Sequence, residues 1–346
     1  MQRLPYASGM EETLVYQPSG TPVYPGTMPV WTDAPHPVLW DFYAAGRAIR
    51  RRPPDVLFAP KSFLPRGVPA SVRQVALILD LVYFPLHGVY LNEYRASDVA
   101  YVRLFYRASC RRAHHLVCIS EQTRSDLLDI CRIPPERTSV VYPGVSIPSS
   151  EALAPERIVA VREKYNLSNP YIFYPGSLSP RKNIVRGLRA FAQIAGNFPH
   201  EWVVTGGKSW KDSDVSAEVD RLGLQTRFRR LGAVDATELP ALYAGASALF
   251  FPSLYEGFGL PLLEAMACRC PVVAARASAL PEVAGDAAEW ADPQSEDDLA
   301  RALRCVLENP ARADQLRAAG LLRAREFTWE KTVAGLLRAF ERAMAS

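Results

Sequence analysis

Apolar residues run along this chain in two interleaved rhythms. Short unbroken apolar runs, such as "DVLFAP" (55–60) and "HLVCIS" (115–120), alternate with longer stretches whose apolar positions recur every three or four residues. The first rhythm is that of a strand buried on both faces and the second that of an amphipathic helix. From residue 40 onward the pattern predicts a helix in "VLWDFYAAGRAI" (38–49), then strands in "DVLFAP" and "QVALILDLVY" (74–83). A helix follows in "VAYVRLFYRASCRRA" (99–113), then the strand "HLVCIS", a helix in "SEQTRSDLLDI" capped by Ser120, and a strand in "TSVVYPGV" (138–145). Strand–helix alternation of this kind builds a mainly parallel sheet in an α/β domain. Ahead of residue 40 the chain is rich in Pro and Gly, with one strand-like piece, "ETLVYQ" (12–17).

The Pro- and Ser-rich segment 142–156 reads as a linker. A second alternation begins after it. Strands are expected in "YIFYPG" (171–176), "EWVVTGG" (201–207), "FRRLGAV" (228–234), "SALFFPS" (247–253) and "CPVVAAR" (270–276). The helices between and after them are "SPRKNIVRGLRAFAQIA" (179–195), with Ser179 as N-cap and Pro180 at N1, "VSAEVDRLGL" (215–224), "TELPALYAGA" (237–246), "LPLLEAMAC" (260–268) and "SEDDLARALRCVLE" (295–308). The closing segment "AREFTWEKTVAGLLRAFERAMA" (324–345) is a helix long enough to return to the first domain. The expected architecture is therefore α/β: two Rossmann-like domains, 1–148 and 149–327, facing a central cleft, with 328–346 crossing back. Ligands of such sheets bind at the carboxyl ends of the strands.

Composition narrows the classes. With 346 residues, 49% hydrophobic and 22% charged, the chain has ample core for two domains. Its net charge of +4 lies in the first 150 residues, where 16 Lys+Arg face 12 Asp+Glu. That is too mild for a nucleic-acid binder. It suits an anionic substrate or a peripheral contact with the inner face of the cytoplasmic membrane, as does the run Arg50-Arg51-Arg52, though that run reads better as a solvated helix end. The six Cys form no CxxC pair and have no His at zinc spacing, so they read as reduced core residues. No long apolar run or signal-peptide core is present, so a cytoplasmic location is expected.

Two places in the second domain bring a strand, a tight loop and a helix start together. The first is Gly176-Ser177-Leu178-Ser179-Pro180-Arg181-Lys182-Asn183, where two cations meet what should be a helix N-terminus. They oppose the helix dipole unless an anion binds between. The second is Glu256-Gly257-Phe258-Gly259-Leu260-Pro261, whose glycines allow close approach of a ligand to the backbone. Two phosphate hooks in one domain point to a diphosphate. Glu264, one turn into the following helix, has the acceptor capacity to take both hydroxyls of a ribose diol, and Glu256 faces whatever lies beyond the diphosphate. The rival reading pairs Arg181 and Lys182 with Glu256 and Glu264 across the domain. Three decoys fall away: "GGKS" (206–209) lacks the first Gly of a phosphate-binding P-loop, Asp212-Ser213-Asp214 imitates a metal-binding DxD in a polar loop, and Gly257-Phe258-Gly259 lacks the third Gly of a dinucleotide fingerprint.

Glu256 and Glu264, separated by seven residues, resemble the E-x7-E signature of retaining glycosyltransferase family 4, and "YPGSLSPRKN", "LGAVDATELPALYAGA", "LPEVAGDAA" and "FTWEKT" are similar to landmarks of that family in its order. The likeness covers roughly residues 40 to 343 and suits the subgroup with an Arg-Lys-Asn phosphate loop, rich in mannosyltransferases. It implies the GT-B fold, no metal, no cofactor, and a nucleotide-diphosphate sugar as donor, GDP-mannose first and a UDP-sugar second. The acceptor it implies is a glycan or lipid-linked sugar in cell-surface polysaccharide synthesis. Arg181 and Lys182 would hold the diphosphate that begins at the Gly176 loop and stabilise the leaving nucleotide. The amides of Phe258, Gly259 and Leu260 would meet the distal phosphate and sugar, Glu256 the sugar hydroxyls, Glu264 the ribose and Val234 the base. The resemblance further implies front-side displacement with the donor phosphate taking the acceptor proton.

Departures from the family also stand in the sequence. It usually places His-Asp at the end of the "QVALILD" strand, the His reaching the donor sugar; here Leu79 precedes Asp80. His87 is the nearest substitute, though a surface role suits it better, and the family's opening strand, Gly-rich loop and helix are not evident before residue 40. These two features keep open an alternative, a scaffold that retains the donor pocket without turnover. On the transferase reading Lys182→Ala abolishes turnover while the fold survives, because Lys182 is expected to be an exposed cleft cation.

Overall fold

The parallel order expected of the apolar runs is realised in two separate sheets. The computed structural model describes residues 13–16, 28–31, 45–60, 62–84, 96–206 and 212–346. A parallel pair, β1 (Thr13–Tyr16) and β2 (Met28–Trp31), comes first; the second of these went unforeseen because Pro29 argues against a strand. Next come α1 (Ala45–Arg51), β3 (Val56–Ala59), β4 (Arg73–Ile78), α2 (Ala96–Arg112), β5 (His115–Cys118), α3 (Glu121–Cys131) and β6 (Thr138–Val140). Their strands form one parallel sheet, in the order β3-β4-β5-β6. Ser120 caps α3 as expected, its hydroxyl accepting from the Thr123 amide at 2.9 Å. His87 lies outside the described residues.

The second sheet has the order β12-β11-β10-β7-β8-β9, all parallel. Its elements are α4 (Pro155–Lys164), β7 (Tyr171–Pro175), α5 (Ile184–Ala195), β8 (Glu201–Thr205), α6 (Asp212–Arg221), β9 (Phe228–Arg230), α7 (Leu239–Ala244) and β10 (Ala248–Phe251). α8 (Leu260–Ala267), β11 (Val272–Ala275), α9 (Leu280–Ala284), β12 (Glu289–Ala291), α10 (Glu296–Glu308) and α11 (Pro310–Ala324) complete it. α4, α9, β12 and α11 went unforeseen; α9 and β12 are too short to show a period. Helix α5 illustrates the packing. Ile184, Leu188, Phe191 and Ile194 recur on one face and are buried. Phe191 meets Trp202 of β8 edge-on, and a Cβ on Gly187 would lie 2.6 Å from that indole. Each such side chain contributes on the order of 2 kcal/mol by leaving water.

The final helix, α12 (Trp329–Ala345), buries Leu336, Ala339 and Ala343 against Val75 and Val117 of the first sheet, and Phe340 packs on Phe58 at 5.4 Å. It starts at Trp329 rather than Ala324, because Thr328 caps it, its hydroxyl accepting from the Lys331 amide. Among the described residues no helix is long and apolar enough to cross a membrane.

Candidate functional site

The loops that follow β7, β8 and β9 are tied together at the carboxyl edge of the second sheet. The Gly176 amide donates to Thr205 at 2.9 Å, and the Gly206 amide donates to Gly232 at 2.8 Å. All three glycines have positive φ, and a Cβ on Gly206 would stand 2.5 Å from the Gly176 carbonyl oxygen, so only glycine allows this approach. Val234, in the loop after β9, is half-buried against the domain core.

The helix expected over 179–195 is broken. Pro180–Lys182 forms a single 3-10 turn, Asn183 takes a left-handed conformation (φ 61°), and α5 begins only at Ile184. Ser179 therefore does not cap α5, and its hydroxyl is buried with no hydrogen bond among the described residues. Asn183 holds the break in place by donating from its side-chain amide to the carbonyls of Pro252 (3.0 Å) and Pro293 (2.9 Å). Arg181 and Lys182 thus precede the helix instead of sitting in its first turn, and the expected conflict with its dipole does not arise.

The two cations converge on one carboxylate. Lys182 Nζ lies 2.6 Å from Glu256 Oε1, and Arg181 Nη1 lies 3.1 Å from Glu256 Oε2. Arg181 also donates to the Tyr255 carbonyl, while its own carbonyl accepts from the Leu254 amide. Lys182 is buried, at 9% exposure, which corrects its reading as an exposed cleft cation. Burial pulls its ammonium below the ordinary lysine value, and Glu256 opposes that pull. Glu256 is positioned through its backbone, whose N–H donates to Ser278 Oγ at 3.0 Å and whose carbonyl accepts from the same hydroxyl. Asp80 joins the cluster electrostatically. Burial raises its carboxyl above the usual range, with Arg181 the largest opposing influence. A Val82 amide donates to Asp80 Oδ1 at 3.3 Å. The cluster thus gathers two cations, one carboxylate bound to both, and a second carboxyl biased toward its neutral form.

Glu264 is held elsewhere. Its Oε2 accepts from the Tyr243 hydroxyl at 2.7 Å, not from Arg181 or Lys182. The reading that pairs the two cations with both acids is therefore half realised, at Glu256 alone. Tyr243 lies in an apolar helix of the sequence, and nothing in its spacing marks it as a partner for an acid. Burial, then the adjacent Glu264, push its hydroxyl well up, so it remains a donor. Gly259, at φ 108°, opens α8 as the glycine pattern anticipates. Leu260 begins that helix half-buried, while Phe258 turns its ring into a cluster with Tyr142 and Phe327. Only its backbone is left to face a ligand.

The first domain grips this loop. Ser120 and Thr123 hydroxyls donate to the Gly257 carbonyl at 2.6 and 2.9 Å, and Tyr255 donates to Asp126 at 2.9 Å. Glu282 accepts from the amides of Glu121 (2.7 Å) and Gln122 (3.2 Å), taking up free donors at the start of α3. Their pairing is not legible along the chain, because each contact joins residues more than a hundred positions apart. A Cβ on Gly257 would fall 1.9 Å from the Leu79 carbonyl oxygen. Gly257→Ala is accordingly expected to prise the domains apart, seen as a larger radius of gyration in solution X-ray scattering; an unchanged radius would refute the close approach. Leu79 itself exposes 44% of its surface beside Asp80. Asp212, Ser213 and Asp214 open α6 rather than lying in a loop, and among the described residues no group of three or more His, Cys, Asp or Glu side chains is arranged to hold a metal ion.

Comparison with known proteins places the molecule. A family model described as "Glycosyltransferase Family 4" matches residues 7–147, starting well ahead of residue 40, and one described as "Glycosyl transferases group 1" matches residues 160–323. The O-antigen chain mannosyltransferase B of Escherichia coli is 31% identical over 302 residues, covering 85% of this chain and 76% of the relative. The MMP alpha-(1->4)-mannosyltransferase of Mycolicibacterium hassiacum is also 31% identical, over 68% of this chain, which spans only 56% of that protein. Among solved structures, Anabaena HepE in complex with UDP and glucose superposes with a TM-score of 0.71 at 19% identity, over 91% of this chain and 86% of that one. The likeness establishes the fold as GT-B, with its two facing parallel-sheet domains. The chain is a member of glycosyltransferase family 4.

Proposed function

We propose that this glycosyltransferase moves mannose, with retention of anomeric configuration and without a metal, from a nucleotide-diphosphate sugar to a glycan or lipid-linked acceptor in cell-surface polysaccharide synthesis. GDP-mannose is the first donor and a UDP-sugar the second. The reading is carried by one observation: Arg181 and Lys182 share Glu256 beside the Gly257–Leu260 loop, at the carboxyl edge of the second sheet. Support for mannose comes from the names of the two mannosyltransferase relatives. In this reading residues 1–148 face the acceptor and 149–327 hold the donor. The protein works in the cytoplasm, in peripheral contact with the inner membrane face.

Chemically, the bond from the sugar C1 to the distal phosphate oxygen breaks while the acceptor oxygen bonds to C1 on the same face. The acceptor proton passes to a phosphate oxygen. Arg181 and Lys182 take the charge that grows on the leaving diphosphate, the main electrostatic contribution available without a metal. The amides at Phe258, Gly259 and Leu260 receive the distal phosphate, the Gly176 loop lets the diphosphate approach, and Glu256 keeps lone pairs for sugar hydroxyls. Glu264, steadied by Tyr243, takes the ribose diol, and Val234 lies against the base. Asp80 borders the sugar pocket.

The deciding experiment titrates GDP, UDP and ADP separately into the chain by calorimetry and follows turnover of GDP-mannose by NMR, which also reads the configuration of the product. One nucleotide binding with α-to-α transfer supports the proposal; binding without any transfer favours the scaffold that Leu79 motivates; no binding sinks both. Glu264→Ala is expected to weaken nucleotide binding about tenfold, the loss of one or two charge-assisted hydrogen bonds, with a smaller effect on the maximal rate. Unchanged affinity in that titration would remove Glu264 from the ribose.

A further inference from the structure

On the face of the first domain where α12 returns, a cavity of about 300 Å³ opens between that helix, the β6 strand and the start of α3. It shares no residue with the Arg181–Lys182–Glu256 cluster. Three guanidinium groups line it, Arg124, Arg338 and Arg342, against a single carboxylate, Glu121. Arg338 and Arg342 stand one turn apart on α12, a spacing at which like charges repel. Neither makes an ion pair or hydrogen bond among the described residues. Arg124 is already oriented, donating from Nε to the Thr138 hydroxyl at 2.8 Å, with Glu121 at a loose 3.6 Å.

The floor of the cavity is built for the same sign of ligand. Ser139 presents a hydroxyl at the wall, 3.0 Å from His115 Nε2. His115 stays neutral, its ring held at about 4 by burial first and then by the positive charge of Arg342 and Arg137. The close fit of α12 is permitted at Gly335, where a Cβ would meet Val141 at 2.8 Å, so glycine lets the helix bring the two arginines close to the strand. An excess of guanidinium beside the Ser139 hydroxyl matches a tetrahedral oxyanion, which arginine takes in two-pronged fashion. The volume exceeds that of an ion alone and falls in the range of small-ligand sites.

We propose that this cavity is a second anion site that binds a phosphate monoester, separate from the sugar-nucleotide cleft. That chemistry belongs both to an anionic lipid headgroup and to a soluble phosphorylated compound. The test follows backbone amide shifts of the full chain while inorganic phosphate is added at constant ionic strength. In the wild type, Ser139 and Gly335 are expected to shift and saturate. In Arg338→Gln/Arg342→Gln that response weakens at least tenfold, while the shifts of Gly176 and Gly259 and the turnover stay at wild-type levels. Both side chains are exposed, so the fold is retained, which circular dichroism checks.

A parallel arm sediments the chain with vesicles of phosphatidylcholine containing phosphatidic acid. Arginine-dependent pelleting assigns the site to a lipid headgroup, and saturable phosphate binding without pelleting assigns it to a soluble phosphate ester. If phosphate leaves Ser139 and Gly335 unmoved, or moves them equally in the double variant, the site does not exist.

Discussion

Lys182→Ala is expected to lower turnover by a factor of about 10²–10³, the scale of losing one preorganised donor aimed at developing charge. Its ammonium is the more deeply buried of the two cations, and a charge in low dielectric acts on a leaving diphosphate with little screening. Because the side chain is packed, with its ammonium 5.5 Å from the centre of the Phe251 ring, the alanine variant also leaves a void. Lys182→Met keeps the stem and removes only the charge. The two variants should share the same deficit in maximal rate, with the methionine form melting closer to wild type. A folded Lys182→Met that turns over at the wild-type rate would take Lys182 out of the chemistry.

Glu256→Gln is expected to cost the fold about 3–5 kcal/mol, measured by denaturant unfolding. That is the range for breaking a buried ion pair by removing one partner's charge. Here one carboxylate answers two cations, and the glutamine removes the charge that Arg181 and Lys182 share, with the biased Asp80 beside them. A diphosphate should restore part of that loss. Added pyrophosphate is therefore expected to raise the melting temperature of Glu256→Gln by more than it raises that of the wild type, since an anion bound to the native state stabilises it. Equal stability of variant and wild type in the absence of pyrophosphate would mean the cluster is solvated and the electrostatic argument fails.

Much of the candidate site was legible along the chain. Glu256, Gly257 and Gly259 sit in one loop, Arg181 and Lys182 in another, and both loops follow apolar runs that read as strands. Local rules suffice for such features, because a strand, a tight turn and a helix start each depend on residues a few positions apart. The break at Asn183 escaped those rules. Pro180 and the apolar spacing beyond it describe a continuous helix, whereas the carbonyls of Pro252 and Pro293, from distant loops, tie the Asn183 side chain at its left-handed turn. Tyr243 was hidden for a related reason: in an apolar helix its ring reads as core, and its hydroxyl acquires a purpose only when Glu264 is folded beside it.

The sequence by itself determined the alternation of strands and helices, the two-sheet organisation, and the residue types gathered at the carboxyl edge of the second sheet, since periodicity and glycine placement act locally. The tertiary structure alone decided the burial of the site's charges and their partners. It buried Lys182, drew both cations onto Glu256, left Glu264 to Tyr243, and closed the first domain over Gly257 through Ser120 and Thr123. Burial and pairing are properties of the space between elements, and a buried charge is set by whichever group the fold delivers within about 3–4 Å.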